Sequence, residues 1–330
     1  MANLKAIRKR IVSVKNTQKI TRAMKMVAAA RLAKAQIAIT ELRPYALKTL
    51  EILSSVATRA GEEDVHPLLA RREQKRVMLI VLTSDRGLAG AFNANVCKMA
   101  FARWKELEAE GAEVCFSVIG RKGRDFLRRR GADIRRDFTG VFENLSVERA
   151  GEIGRFIVGE YTAGGLRRIQ AEERERLGLP PELAEDIEEG GDAENEPTAI
   201  DTMEPNLDAA YLIYAEFKSA MTQQVVVEPL LPITPMEADE DANAVDFIYE
   251  PSKRALLDRL LPMYVEVEVF RALLESVASE HGARMTAMDA ATSNASDMID
   301  RLTLDYNRAR QAAITKELME IIGGAEALKG

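Results

Sequence analysis

Apolar positions at the two ends of the chain recur every three or four residues, whereas those in the middle follow a different rhythm. Leu4, Ile7, Ile11 and Val14 open a stripe that Ala28, Leu32, Ala35, Ile39, Leu42 and Ala46 resume and that Leu53 and Val56 extend. This spacing predicts a helix over residues 3–59 with a coiled-coil seam, about 85 Å long at 1.5 Å per residue. Between Gln18 and Val27 the stripe passes through Ile20 and Met24, which predicts a local change of phase. At the other end, steps of four and three from Phe270 reach Leu274, Val277, His281, Arg284, Met288, Ala291, Ala295, Met298, Leu302, Asp305, Ala309, Ala312, Lys316 and Met319. Most of these are apolar and many are small, so a second helix axis approaches closely. A helix from Met263 to Ile322 spans roughly 90 Å. Neither rod buries its stripe alone, so the two are expected to pair antiparallel.

Proline placement agrees. All 11 prolines lie from Pro44 to Pro262, leaving the first 43 and the last 68 residues free of helix breakers. Pro44 is the expected place of a kink in the first rod.

The middle alternates short apolar runs with helical stretches. Arg76–Thr83 (RVMLIVLT) reads as a buried parallel strand. Val96–Glu110 reads as a helix, Glu113–Ile119 as a second strand, Lys122–Arg130 as a helix ending at Gly131, and Ser146–Thr162 as another helix. Tyr211–Phe217 and Gln224–Leu231 read as further strands. The fold class is therefore α/β: a doubly wound, Rossmann-like central domain inserted between the two strands of a long antiparallel coiled coil. The expected division is a shaft helix over 1–59, a linker over 60–75, the α/β domain over 76–250 and a second shaft helix over 251–330.

Residues 164–208 break the alternation. From 172 to 208 there are fourteen acids against Arg174 and Arg176 alone, punctuated by glycine and proline. The first part reads as a short helix and the rest as a surface loop, and both a solvated insertion and a regulatory element stay open. Residues 1–40 are the opposite, with ten Lys or Arg and no acid before Glu41. Such a helix binds either nucleic-acid phosphates or a protein partner. Because the cations surround an apolar stripe without interleaved aromatics, a protein partner is favoured.

Candidate chemistry is sparse. The loop after the first strand, Thr83 to Asn93, places Gly87 and Gly90 without the spacing of a dinucleotide site, and no phosphate loop occurs elsewhere. It reads as a structural turn. His66 precedes Pro67 in the linker and His281 lies on the shaft seam, neither with a nucleophile at useful spacing. Cys97 and Cys115 form no metal or disulfide pattern and read as free thiols. No catalytic residue, metal site or cofactor is expected. No apolar run reaches the ~20 residues of a membrane helix, and the N-terminus lacks a signal-peptide core.

The C-terminal residues are more specific. Ile314-Thr315-Lys316-Glu317-Leu318-Met319-Glu320-Ile321-Ile322-Gly323-Gly324-Ala325 resembles the signature of the gamma subunits of F-type ATP synthases. Tyr306 to Gln311, Asn16 to Met24, and Ser84-Asp85-Arg86-Gly87-Leu88 resemble the same family, in the right order. The resemblance implies a non-catalytic rotor shaft threading a ring of alpha and beta subunits, with its α/β foot on the epsilon subunit and the membrane c-ring. It places the chain peripherally at the cytoplasmic face of a bacterial inner membrane, bound through the complex and not to nucleic acid. It further implies that Arg310 and Gln311 form a polar catch for a beta-subunit loop, joined by Thr315 and Glu317 of the signature. Met24 and Arg284 then lie near a lower beta contact. Phe247, Tyr249 and Glu250 belong to the foot segment facing epsilon and the c-ring, with Phe247 standing where relatives commonly carry tyrosine. The 164–208 insertion departs from the bacterial pattern and holds no cysteine, so a thiol switch is not available to it. Its negative charge is expected to dock on a neighbouring subunit and restrain ATP hydrolysis.

Overall fold

The structure, a computed structural model, describes residues 4–58, 66–162, 207–234 and 253–327. The short helix and loop expected at 164–208 (up to residue 206), the foot residues Phe247, Tyr249 and Glu250, and the side chain of Val56 lie outside the described residues.

Two long helices carry the ends of the chain. Helix α1 is Leu4–Thr58 and continues through Pro44, whose ring is exposed. Helix α5 is Lys253–Ala327, 75 residues, and begins ten residues before the expected Met263 with Pro262 inside it. The two lie antiparallel. Thr21 and Thr292 share a hydrogen bond of 2.8 Å, and Lys25 Nζ donates to Asp289 Oδ1 at 2.5 Å.

Between them folds a five-stranded sheet. Its strands are β1 (Arg76–Leu82), β2 (Glu113–Ile119), β3 (Asp133–Phe138), β4 (Ala209–Phe217) and β5 (Gln223–Leu231), in the order β3-β2-β1-β4-β5. The first four are parallel; β5 returns antiparallel to β4 across the Lys218–Thr222 turn, making the sheet mixed. Helices α2 (Phe92–Ala109) and α3 (Arg121–Arg128) link neighbouring strands on one face, and α4 (Val147–Tyr161) crosses back over the other, where it packs on α5. β1 is buried along almost all of its length, as a central strand covered on both faces should be. Phe92, Val96, Ala100, Trp104 and Leu107 turn one face of α2 into this core, and Trp104 meets Phe116 edge-to-face with ring centroids 5.2 Å apart.

Three details differ from expectation. The seam of α1 does not change phase: Leu4, Ile7, Ile11, Val14, Gln18, Thr21, Lys25, Ala28, Leu32, Ala35, Ile39, Leu42, Ala46, Thr49 and Leu53 are all wholly or partly buried, in unbroken three-four steps. Ile20 points to solvent at 58% exposure, while Thr21 and the stem of Lys25 hold the seam. Along α5 the buried row is Met288, Thr292, Ala295, Ile299, Leu302, Tyr306, Ala309 and Ala313, so Met298, Asp305 and Ala312 are off the seam by one residue and Lys316 and Met319 lie beyond it. Strand β3 is the third; its alternating charged sequence DIRRDF carries no apolar run because it is an edge strand with one face to solvent.

The middle of α5 is not shaft alone. From Ala272 to Ala283 all residues but Glu275 are buried, because α1, the sheet and α4 surround the helix. Close approach depends on small residues: a Cβ on Gly154 of α4 would stand 3.0 Å from Glu266 Cα. On the sheet side β4 outruns β1, whose last paired residue there is Val81 opposite Ile213. The Ala215 amide N–H donates to Ser276 Oγ at 3.4 Å, and Ser279 Oγ donates to the Ala215 carbonyl at 2.9 Å. Two helix hydroxyls thus satisfy backbone groups that a continuing strand would have paired.

Candidate functional site

In an open α/β sheet, ligands gather beyond the carboxyl ends of the strands. Here that crevice is occupied by the protein itself. Asp85, 5% exposed at its side chain, accepts from the amides of Arg121 at 3.2 Å and Gly140 at 2.9 Å. Thr83 Oγ1 donates to the Ile119 carbonyl at 2.9 Å and accepts from the Gly123 amide at 2.8 Å. The amides at the start of α3, which would otherwise suit an anion, are therefore used. Glycine is required at this crossing: a Cβ on Gly120, at φ +90, would stand 2.1 Å from Thr83 O. The β1–α2 loop is the structural turn expected from sequence, held by Asn93 Oδ1 accepting from the Ser84 amide at 2.9 Å.

The same loop is gripped by the shaft. Arg284 Nη2 donates to the Gly87 carbonyl at 3.2 Å and to Glu280 Oε1 at 2.6 Å, and Nη1 lies 3.4 Å from His281 Nδ1. Burial raises the Glu280 carboxyl above its ordinary range, partly offset by the cation of Arg284. Burial, with Arg284 and Arg31 nearby, lowers His281 to about 4, so the ring is neutral near pH 7. Leu88, at the tip of this loop, has φ 66 and is 65% exposed, an unusual conformation for a leucine. Sequence reasoning met Leu88 only as the last residue of a family motif, with no sign of its backbone conformation, and missed Glu280; neither stands out from periodicity.

The proposed partner residues fall in two places. Met24 is half-buried on α1, next to Lys25 and opposite the Asp289 turn of α5. Arg284 lies further along α5, 13% exposed at its side chain and engaged inward as described. Arg310, Gln311, Thr315 and Glu317 lie together near the free end of α5 and are all exposed. The Thr21–Thr292 register sets Leu4 opposite about Ala309, so the remaining turns of α5 run past the described start of α1. At 3.6 residues per turn, Arg310, Ile314, Glu317 and Ile321 share one stripe, and Gln311, Thr315, Leu318 and Ile322 share the next. Ile314, Leu318, Ile321 and Ile322 are all more than half exposed. The tip is therefore a helix face that mixes polar groups with bare aliphatic ones.

Burial raises the thiols of Cys97 to about 11 and Cys115 to about 12, which leaves both as unreactive core residues. Among the described residues no cluster of three or more His, Cys, Asp or Glu side chains could hold a metal ion. Nor is any described helix long and apolar enough to cross a membrane.

Known proteins share this organisation. A profile of the ATP synthase family matches residues 3–328. The ATP synthase gamma chain of Sorangium cellulosum is 47% identical over 363 aligned positions, and that of Geobacter sp. strain M21 is 48% identical over 330, each covering 100% of both chains. Among solved structures, two chains of the Euglena gracilis mitochondrial ATP synthase, one from its rotor and one from its OSCP/F1/c-ring assembly, superpose with TM-scores of 0.57 and 0.58. Their identities are 17% and 19%; they cover 94% and 98% of this chain and 98% and 94% of their own, and share its fold. Full-length identity near one half, on the same helix–domain–helix frame, makes this chain a member of the ATP synthase gamma-chain family.

Proposed function

We infer that this chain is the central rotor shaft of an F-type ATP synthase, carrying torque between a membrane c-ring and a catalytic ring of alpha and beta subunits. It performs no bond chemistry itself. The observation that carries the reading is the bare aliphatic face at the tip of α5, which finds no partner among the described residues although the rest of the helix pair is zipped closed. A contiguous exposed aliphatic face of this kind marks a surface that another protein covers.

In this reading residues 1–59 and 251–330 form the shaft, 60–75 a linker and 76–250 the foot. The tip residues Arg310, Gln311, Thr315 and Glu317 meet a beta-subunit loop, and a charge-assisted hydrogen bond from Arg310 suits a contact that forms and breaks each turn. Met24 and Arg284 lie at a lower beta contact, where Arg284 trades its Gly87 and Glu280 partners against the beta subunit. Phe247, Tyr249 and Glu250 face epsilon and the c-ring. The shaft makes different contacts with each beta subunit in turn, and only such differences shift a catalytic subunit between conformations. The complex sits at the cytoplasmic face of a bacterial inner membrane. Co-purification through a tag on this chain tests the assignment: alpha, beta and epsilon subunits are expected in fixed ratio, and recovery of the chain alone from membranes that hold the other subunits contradicts it.

A further inference from the structure

Resting on the shaft reading, we propose that Arg271 is a positioning residue that locks the foot to the shaft, by tying α5 to the β4–β5 hairpin. Its guanidinium reaches both strands. Nη2 donates to Glu228 Oε1 at 2.7 Å and Oε2 at 2.8 Å on β5, and Nη1 donates to Tyr214 Oη at 3.0 Å on β4. Tyr214 Oη in turn donates to Glu228 Oε2 at 2.7 Å, closing the triangle. Glu268 Oε2, accepting from Nε at 2.8 Å, and Glu275 Oε1, accepting from Nη1 at 3.3 Å, fix the arginine from its own helix.

The surface beside this pin explains why one is needed. Ser276 and Ser279 face Ala215 of β4 and Gly282 lies against Phe217 and Ala220, so the helix meets this part of the sheet with small residues that interlock little. Apolar contact resists separation but has no preferred direction, and a smooth helix slides along a smooth sheet. A bidentate arginine–carboxylate pair holds direction as well as distance. The Ser276 and Ser279 bonds to Ala215 act in the same sense on β4 alone; Arg271 extends the grip to β5. The chain leaves β5 at Leu231 and re-enters the described structure as α5 at Lys253, so the pin joins the two arms on either side of that stretch.

The test uses the whole ATP synthase reconstituted in vesicles, carrying Arg271→Ala, Arg271→Lys, Glu228→Gln or Tyr214→Phe. ATP hydrolysis by the detached catalytic sector, which turns without load, should stay within about twofold of wild type in all four. Ions pumped per ATP against an opposing gradient should fall several-fold in Arg271→Ala, less in Glu228→Gln, least in Tyr214→Phe, and recover partly in Arg271→Lys. An unchanged pumping ratio in an assembled Arg271→Ala enzyme overturns the proposal. So does an equal loss of hydrolysis and pumping across the series, which marks a merely structural role. If Arg271→Ala does not assemble, the Glu228→Gln and Tyr214→Phe ratios decide by the same criterion. A wild-type chain that fails to join alpha and beta subunits refutes the shaft reading instead.

Discussion

Thr21 and Thr292, 271 residues apart in sequence, meet hydroxyl to hydroxyl at 2.8 Å in the middle of an otherwise largely apolar seam. With Lys25 and Asp289 one turn away they form a polar layer. A polar layer pairs well in one register and poorly in any other, at a cost in stability. Replacing both threonines by valine, of nearly equal size, should leave thermal stability unchanged or raise it by about 1 kcal/mol, while relaxing register. Spin labels at Val12 and Asp300 should show one narrow distance in the native chain and a broadened distribution in the double variant.

His281 makes acid stability testable. It is 3% exposed and its ring, at about 4, sits below the ordinary 6.5, so the unfolded chain takes up this proton first. The stability it contributes is complete above pH 6.5 and is lost as pH falls towards 4, to the extent of ~3 kcal/mol. Glu280 works in the opposite sense, since its raised carboxyl favours the folded state as pH falls towards and below the usual carboxylate range. His281→Gln should therefore flatten the decline between pH 6.5 and 4 in thermal melts of the full chain. A wild-type slope in that window removes His281 as its cause.

Leu88 carries backbone strain in a position that costs a non-glycine residue ~1–2 kcal/mol. Leu88→Gly relieves it but loosens the unfolded chain, so a net gain of up to ~1 kcal/mol is expected. Leu88→Ala keeps the strain and should match the native melting temperature. A destabilised glycine variant would show that the leucine side chain holds the loop in place.

Ala295 and Arg310 should separate shaft integrity from tip contact. Ala295 is buried in the seam, and Ala295→Pro removes a helix hydrogen bond and clashes with the preceding turn, at a cost of ~3 kcal/mol or more. Arg310→Ala with Gln311→Ala changes exposed groups only, so circular dichroism and melting temperature should stay native while ATP-driven rotation weakens. Normal coupling in that double variant would count against the catch.

What could be read from the chain followed how local the cause was. The α1 stripe, the buried run of β1 and the stop at Gly131, where φ is 72, all arise from neighbours a few residues away. The seam of α5 was misjudged because alanines line several faces of that helix, and only packing against α1 selects among them. Ile20 looked like a seam residue because it is apolar, whereas the buried position belongs to Thr21. The inward engagement of Arg284 with Gly87, 197 residues away, has no trace in local spacing. The tip residues were legible through a short signature, but their exposure follows from where α1 starts, a property of the other end of the chain.

The two serine hydroxyls at Ala215 bear on how this molecule is made. While the polypeptide leaves the ribosome, all five described strands are finished before any of the 75 residues of α5 has appeared. Until they do, the outer end of β4 keeps an amide and a carbonyl bare, beside apolar surface that only the final helix covers. A product truncated before α5 is therefore expected to expose that surface and to be cleaved by protease faster than the full chain.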